Sequence, residues 1–221
     1  MGFIEMTEQE KELLAAVYLN EKGIREGDLF GYQIESLRLL RVGEAYLREK
    51  YPECELSFLS FEPANKFYPR AVLRFRCGDL GEYQVIIIPQ DGEDVCTDTL
   101  YAAFLQPAYD RMIEGLLAQD GSTPRSYTSF PNAMGKALGA DADVEKLMSA
   151  APKLPRYTHL FVVGGEDRSI ADSLRQRLHD AGLYGSYTLY FIGDETCSDV
   201  LELEAKRNGF ARLTFNCFDV A

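Results

Sequence analysis

Hydrophobic residues recur along this chain first at a spacing near 3.6, then at 2, then at the two in alternation, and the switches mark out the elements. Thr7 followed by Glu10 makes a capping box for a helix over 8–22, with an apolar stripe through Leu13, Leu14, Val17 and Tyr18 and a left-handed stop at Gly23. Ile34, Leu37, Leu40 and Leu47 predict a second helix over 31–50, closed off by Pro52. The period then drops to 2, and strands are expected at 54–61, 70–77 and 82–88, the last two joined by the turn residues "GDLG". Ala71, Leu73, Phe75 and Cys77 share one face of the middle strand and Arg70, Val72, Arg74 and Arg76 the other, which predicts a sheet with one buried and one wetter side. An odd connection in this hairpin sets Cys77 opposite Tyr83, Phe75 opposite Val85 and Leu73 opposite Ile87, whereas an even one mixes apolar with polar on one face. Helical spacing resumes through Tyr101, Phe104, Ala108, Met112 and Leu116, with Pro107 expected to kink or split that helix.

From 121 to 139 the chain reads "GSTPRSYTSFPNAMGKALG", dense in turn-forming residues, so the expected division is an α+β domain over 1–120, a linker or long loop over 121–140 and a second domain over 141–221. After a short helix around "DVEKLMSAA" the pattern alternates: strand 158–163, helix 168–181, strand 187–192, helix 195–207, strand 210–217. This βαβαβ order predicts right-handed crossovers and three parallel strands. The fold class is therefore α/β: an N-terminal α+β portion with an antiparallel sheet, and a C-terminal unit that resembles half of a doubly wound, Rossmann-like fold. No tandem repeat or heptad run is present.

In such a unit ligands bind beyond the carboxyl ends of the strands, where helix N-termini offer free amides. Two strand-to-helix turns lie there, "VVGGEDRS" and "FIGDETCSD", and they nominate Gly164, Gly165, Glu166 and Asp167 in the first and Gly193, Asp194 and Glu195 in the second. Neither fits a dinucleotide or Walker phosphate pattern. Acids at neighbouring strand ends suit magnesium, with Asp167 and Asp194 as its ligands; the competing reading makes both aspartates helix caps and leaves the protein without metal or cofactor. Arg74 and Arg76, with Arg70, form a basic stripe that suits a carboxylate or phosphate group, or else a solvated face paired with nearby acids. His159 and His179 have no ligand spacing around them, and no nucleophile elbow or dyad is present.

Charge narrows the partners. The chain carries 23 basic and 35 acidic residues, net −12, which argues against nucleic acid and against an anionic membrane surface. Residues 1–120 hold 22 acids against 12 bases and the remainder 13 against 11, so the acidity belongs to the first part. The cysteines at 54, 77, 96, 197 and 217 make an odd set without Cys-x-x-Cys and read as unpaired thiols. No signal-like n-region, 18-residue apolar window or N-glycosylation sequon occurs, and the expected location is the cytoplasm. These features predict a non-catalytic binding or interaction module for a protein or small molecule. The alternative is a divalent-cation-dependent enzyme acting on a phosphorylated or nucleotide substrate at the C-terminal strand ends.

Overall fold

The computed structural model describes residues 3–118, 124–150, 154–163, 168–193 and 199–217. They form a mixed α/β protein with two four-stranded sheets. The chain divides into two compact units, Met1–Tyr101 with Ala133–Ala140, and Ala102–Asn132 with Asp141–Ala221. It thus leaves the first unit after Tyr101, returns for one short passage and leaves again. The stretch over 121–140 contains both a strand of the second sheet and that passage.

The first unit opens with helices α1 (Glu8–Ala15), α2 (Glu21–Glu26) and α3 (Gly31–Lys50). The Thr7–Glu10 capping box forms in both directions, but the helix expected to reach residue 22 stops at Ala15. Asn20 explains the break: its Oδ1 accepts from Gly23 N at 3.3 Å and starts α2 afresh. Gly23 therefore sits inside α2, and the left-handed stop belongs to Gly27, at φ 79°. Helix α3 spans the predicted residues. Its Gly43 lies against the sheet so closely that a Cβ there would meet Ile87 Cδ1 at 3.1 Å.

Strands β1 (Leu56–Glu62), β2 (Ala71–Cys77), β3 (Glu82–Ile88) and β4 (Val95–Asp98) form an antiparallel sheet in that order. Ala71, Leu73, Phe75, Val85 and Ile87 are fully buried beneath the helices, each contributing roughly 1–3 kcal/mol by leaving water. In the β2–β3 hairpin Phe75 pairs with Tyr83, Leu73 with Val85 and Ala71 with Ile87. The predicted parity holds, apolar facing apolar, while the register lies one step, two residues, from the expected one. The connection takes five residues, as expected, but is centred on Asp79 rather than Leu80, and a single 3-10 turn at Gly78–Leu80, with φ of 46° at Gly78 and 113° at Gly81, fills it. β4 follows the polar stretch "PQDGED", where no strand was expected.

The second unit takes in α4 (Tyr101–Leu117) beyond its first residue, β5 (Arg125–Ser129), α5 (Val144–Ala150), β6 (Tyr157–Val162), α6 (Arg168–Asp180), β7 (Gly185–Phe191), α7 (Val200–Lys206) and β8 (Ala211–Cys217). Helix α4 runs unbroken through Pro107. It buries Tyr101, Leu105, Tyr109, Ile113 and Leu117, a stripe one residue out of phase with the predicted one. The i and i+4 carboxylates on α4 close the free edge of β5: Glu114 Oε1 accepts from Ser126 N at 2.8 Å and Asp110 Oδ2 from Thr128 N at 3.3 Å. Asp110 Oδ1 also takes the Thr128 hydroxyl at 2.6 Å.

The sheet order is β5-β6-β7-β8. Only β6 and β7 run parallel; β5 is antiparallel to β6 and β8 is antiparallel to β7. The Rossmann-like reading, with three parallel strands, is thereby corrected. Helix lengths supply the reason. Helix α6 has 13 residues, about 20 Å, enough to carry the chain back along the 6 residues of β6, which also span about 20 Å. Helix α7 has 7 residues, about 10 Å, against about 23 Å for the 7 residues of β7. It cannot return the chain to the far end, so β8 starts beside the end of β7, Ala211 against Phe191. No helix among the described residues is long and apolar enough to cross a membrane.

Candidate functional site

Most of the nominated turn residues, Gly164, Gly165, Glu166, Asp167, Asp194 and Glu195, lie outside the described residues. Gly193 is described, at φ 58° just past β7. The cap of α7 is Asp199, whose carboxylate accepts from Leu201 N at 2.9 Å. Helix α7 thus begins at Val200, several residues later than expected. Arg74 and Arg76 are each paired with an acid on a neighbouring strand. Arg74 pairs with Glu62 at 3.3 Å and Arg76 with Glu82 at 2.6 Å, all four side chains more than half exposed, and such pairs contribute little. His159 sits 2.7 Å from Glu204 Oε2, and no group of three or more metal-ligating side chains occurs among the described residues.

The densest polar cluster is one that sequence reasoning missed, in the first unit. The last turn of α3 brings Tyr46 and Lys50 onto one face, since i and i+4 are neighbours on a helix; Tyr51 follows as its C-cap. Asp98, the last residue of β4, stands opposite. Tyr46 Oη donates to Asp98 Oδ2 at 2.8 Å and Tyr51 Oη to Oδ1 at 2.7 Å. Leu100 N and Tyr101 N also donate to Oδ1, at 2.9 and 3.4 Å. Lys50 Nζ lies 2.5 Å from Asp98 Oδ2, with side-chain exposures of 3% and 0%. Its remaining donors reach Gly135 O at 2.8 Å, Met134 O at 3.3 Å and Tyr46 Oη at 3.0 Å.

This constellation resembles a proton-transfer site in its residue types, but its electrostatics oppose that use. A lysine beside a tyrosine favours phenolate by its charge. Here burial pushes the Tyr46 and Tyr51 hydroxyls well above the ordinary phenol range, and the Asp98 carboxylate that accepts their protons adds to the rise. Burial pulls Lys50 down, against the opposing effect of Asp98. The acceptors of Asp98 and the donors of Lys50 are taken up within the chain, so the cluster is a strut fixing α3, β4 and the Met134–Gly135 passage to one another.

A hollow of about 750 Å³ opens beside the strut, lined by Tyr46, Glu49, Glu93, Asp94, Cys96 and Lys136 among others. Within it Glu49 pairs with Lys136 at 2.8 Å, and Asp94 pairs with Arg38 at 2.5 Å. Burial pushes the Cys96 thiol up to about 11, which leaves it protonated and unreactive near neutrality.

The outer face of α3 is different in character. A groove of about 410 Å³ runs along it, lined by Ile4, Ile34, Leu37, Arg38, Arg41, Val42 and Ala45. Ile34 is 43% exposed, and Phe30, one turn earlier on the same face, is 55% exposed. Phe30 stacks on Tyr32 at 5.7 Å, and Tyr32 meets Tyr18 edge-on at 5.3 Å. The two arginines are held upright by acids, Arg38 by Glu35 and Asp94 and Arg41 by Glu10. Sequence spacing placed Ile34 in the apolar stripe of α3, whereas the structure leaves it exposed at the start of the helix with Phe30 and Tyr32. No protein-family model, no curated protein and no solved structure matches this chain.

Proposed function

We propose that the protein is a non-catalytic cytoplasmic binding module that receives a protein partner on the outer face of α3. The observation that carries this reading is the exposed pair Phe30 and Ile34, one turn apart, running into the groove beside Val42 and Ala45, with Tyr32 stacked on Phe30 at the start of the helix. Aromatic anchors next to a recess, rimmed by polar groups, are where binding energy concentrates in protein interfaces. Arg38 and Arg41, each paired with acids of the same unit, give the recess a polar rim.

The test compares the wild-type chain with Ile34→Glu and Phe30→Ser as baits in affinity isolation followed by cross-link mapping. A partner held by the wild type, cross-linked to α3 and lost from both variants supports the reading. Equal retention by all three rejects it. The cytoplasmic placement rests on the four described cysteines, 54, 77, 96 and 217, all free. Thiol titration under denaturing, non-reducing conditions should recover all five of the chain's thiols; two or four missing would place the protein in an oxidising compartment.

A further inference from the structure

Three of the four sheet edges carry an identifiable guard. β1 has a register shift between Phe58 and Ser60, and Gln9 Nε2 on α1 donates to Phe58 O at 3.4 Å. The outer side of β4 is bridged by Met134, paired with Asp98. The outer amides of β5 go to Glu114 and Asp110 on α4. Edge strands are guarded in these ways because a bare edge is a template for another strand.

β8 is the fourth edge, and it has no such guard among the described residues. It contains no Gly or Pro, its only charge is Arg212, and its ladder with β7 runs without a shift from Gly185↔Cys217 to Phe191↔Ala211. The direction of its backbone groups follows from β7. Ser186 N donates to Arg156 O and Ile192 N to Val162 O, both toward β6. Alternation then turns Gly185, Tyr187, Leu189 and Phe191 toward β8, and their partners Cys217, Phe215, Leu213 and Ala211 back toward β7. Arg212, Thr214 and Asn216 are left with N–H and C=O pointing outward, and all three are exposed.

We infer that β8 pairs with β8 of a second copy, antiparallel about a two-fold axis through Thr214, making one continuous sheet from two four-stranded ones. The outward-facing set maps onto itself under this operation: Thr214 meets Thr214, and Arg212 meets Asn216. About six backbone hydrogen bonds form. No like charges come opposite, and a Thr–Thr cross-strand pair is favourable. On the other face the half-buried Leu213 meets the half-buried Phe215. A one-residue slip would set apolar positions against polar ones and outward groups against inward ones, so the register is specified. A self-complementary patch of this kind closes at two copies, and this contact is independent of the α3 face.

Sedimentation equilibrium on the full chain tests it. The wild type should rise from one chain mass toward two as concentration increases. Thr214→Lys and Thr214→Glu each place like charges at the axis and should each be monomeric, while an equimolar mixture of the two should dimerise. Asn216→Glu, opposite Arg212, should tighten the dimer and Asn216→Arg should loosen it; simple damage to the strand would loosen both. A wild type that stays monomeric throughout, a dimer that survives in both Thr214 variants, or a mixture that fails to associate would overturn the inference.

Discussion

Lys50→Met tests the strut most directly. Methionine keeps much of the side-chain volume but removes the charge and every donor, so Asp98 keeps only Tyr46, Tyr51, Leu100 N and Tyr101 N as donors. Leaving one charge of a buried pair unmatched costs about 3–5 kcal/mol. The variant should therefore lose about 3–5 kcal/mol. Urea titrations followed by far-UV circular dichroism measure this, comparing midpoints at constant slope. A loss below about 1 kcal/mol would mean that the ammonium is not carrying the carboxylate as described.

Three further outcomes are expected. Tyr46 and Tyr51 have folded pKa values raised above their unfolded ones, so their contribution is complete below about pH 10 and is lost as the pH rises beyond it, at up to about 1.4 kcal/mol per pH unit and group; Tyr46→Phe should flatten that alkaline slope in a denaturation series. Asp199→Ala removes the cap of α7 and should cost about 1 kcal/mol, while Asp199→Asn, which keeps the accepting oxygen, should cost less than half of that. Gly43→Ala gains up to about 1 kcal/mol of helix propensity, but its Cβ meets Ile87 Cδ1 at 3.1 Å and both Ile87 Cγ1 and Val85 Cγ1 at 3.4 Å; fully buried neighbours cannot step aside, and a net loss in thermal stability is expected.

What could be read from the sequence, and what could not, follows the range of the forces involved. Helix α3 matched its predicted span because its spacing, its Pro52 terminator and its length agree, although Ile34 of the expected stripe lies exposed. Hairpin parity was legible because it depends on which residues are apolar; the register was not, because it depends on which five residues the turn takes, and two placements one position apart keep the same parity. α4 was placed correctly but one residue out of phase, since Phe104 and Leu105, or Met112 and Ile113, offer two equivalent stripes and only packing chooses between them. The direction of β8 was misread because its predicted helix began near Glu195, whereas the helix capped by Asp199 is too short for a crossover. β5 was concealed by the turn-rich composition of its surroundings: its edge is satisfied by carboxylates on α4 rather than by pattern. The strut left no local trace. Lys50 reads as an ordinary lysine at a helix C-terminus, Asp98 as one more acid in "DGEDVCTD", and only the tertiary fold brings them together.

The passage of Ala133–Ala140 through the first unit also bears on how the chain is made. Lys50 and Gly135 are 85 residues apart in sequence, Lys50 and Met134 84, and Lys50 and Asp98 48. A ribosome emitting the chain from its N-terminus delivers all of β1 to β4 well before the carbonyls that complete the Lys50 shell. Until then the ammonium and its carboxylate must wait partly hydrated, and the helices can dock only provisionally on the sheet. The same threading rules out a clean cut: a fragment ending at Tyr101 carries every strand of its sheet yet lacks the backbone that pairs with Asp98, so a soluble first unit has to be made either with the 133–140 segment spliced on behind a short linker or as the intact chain.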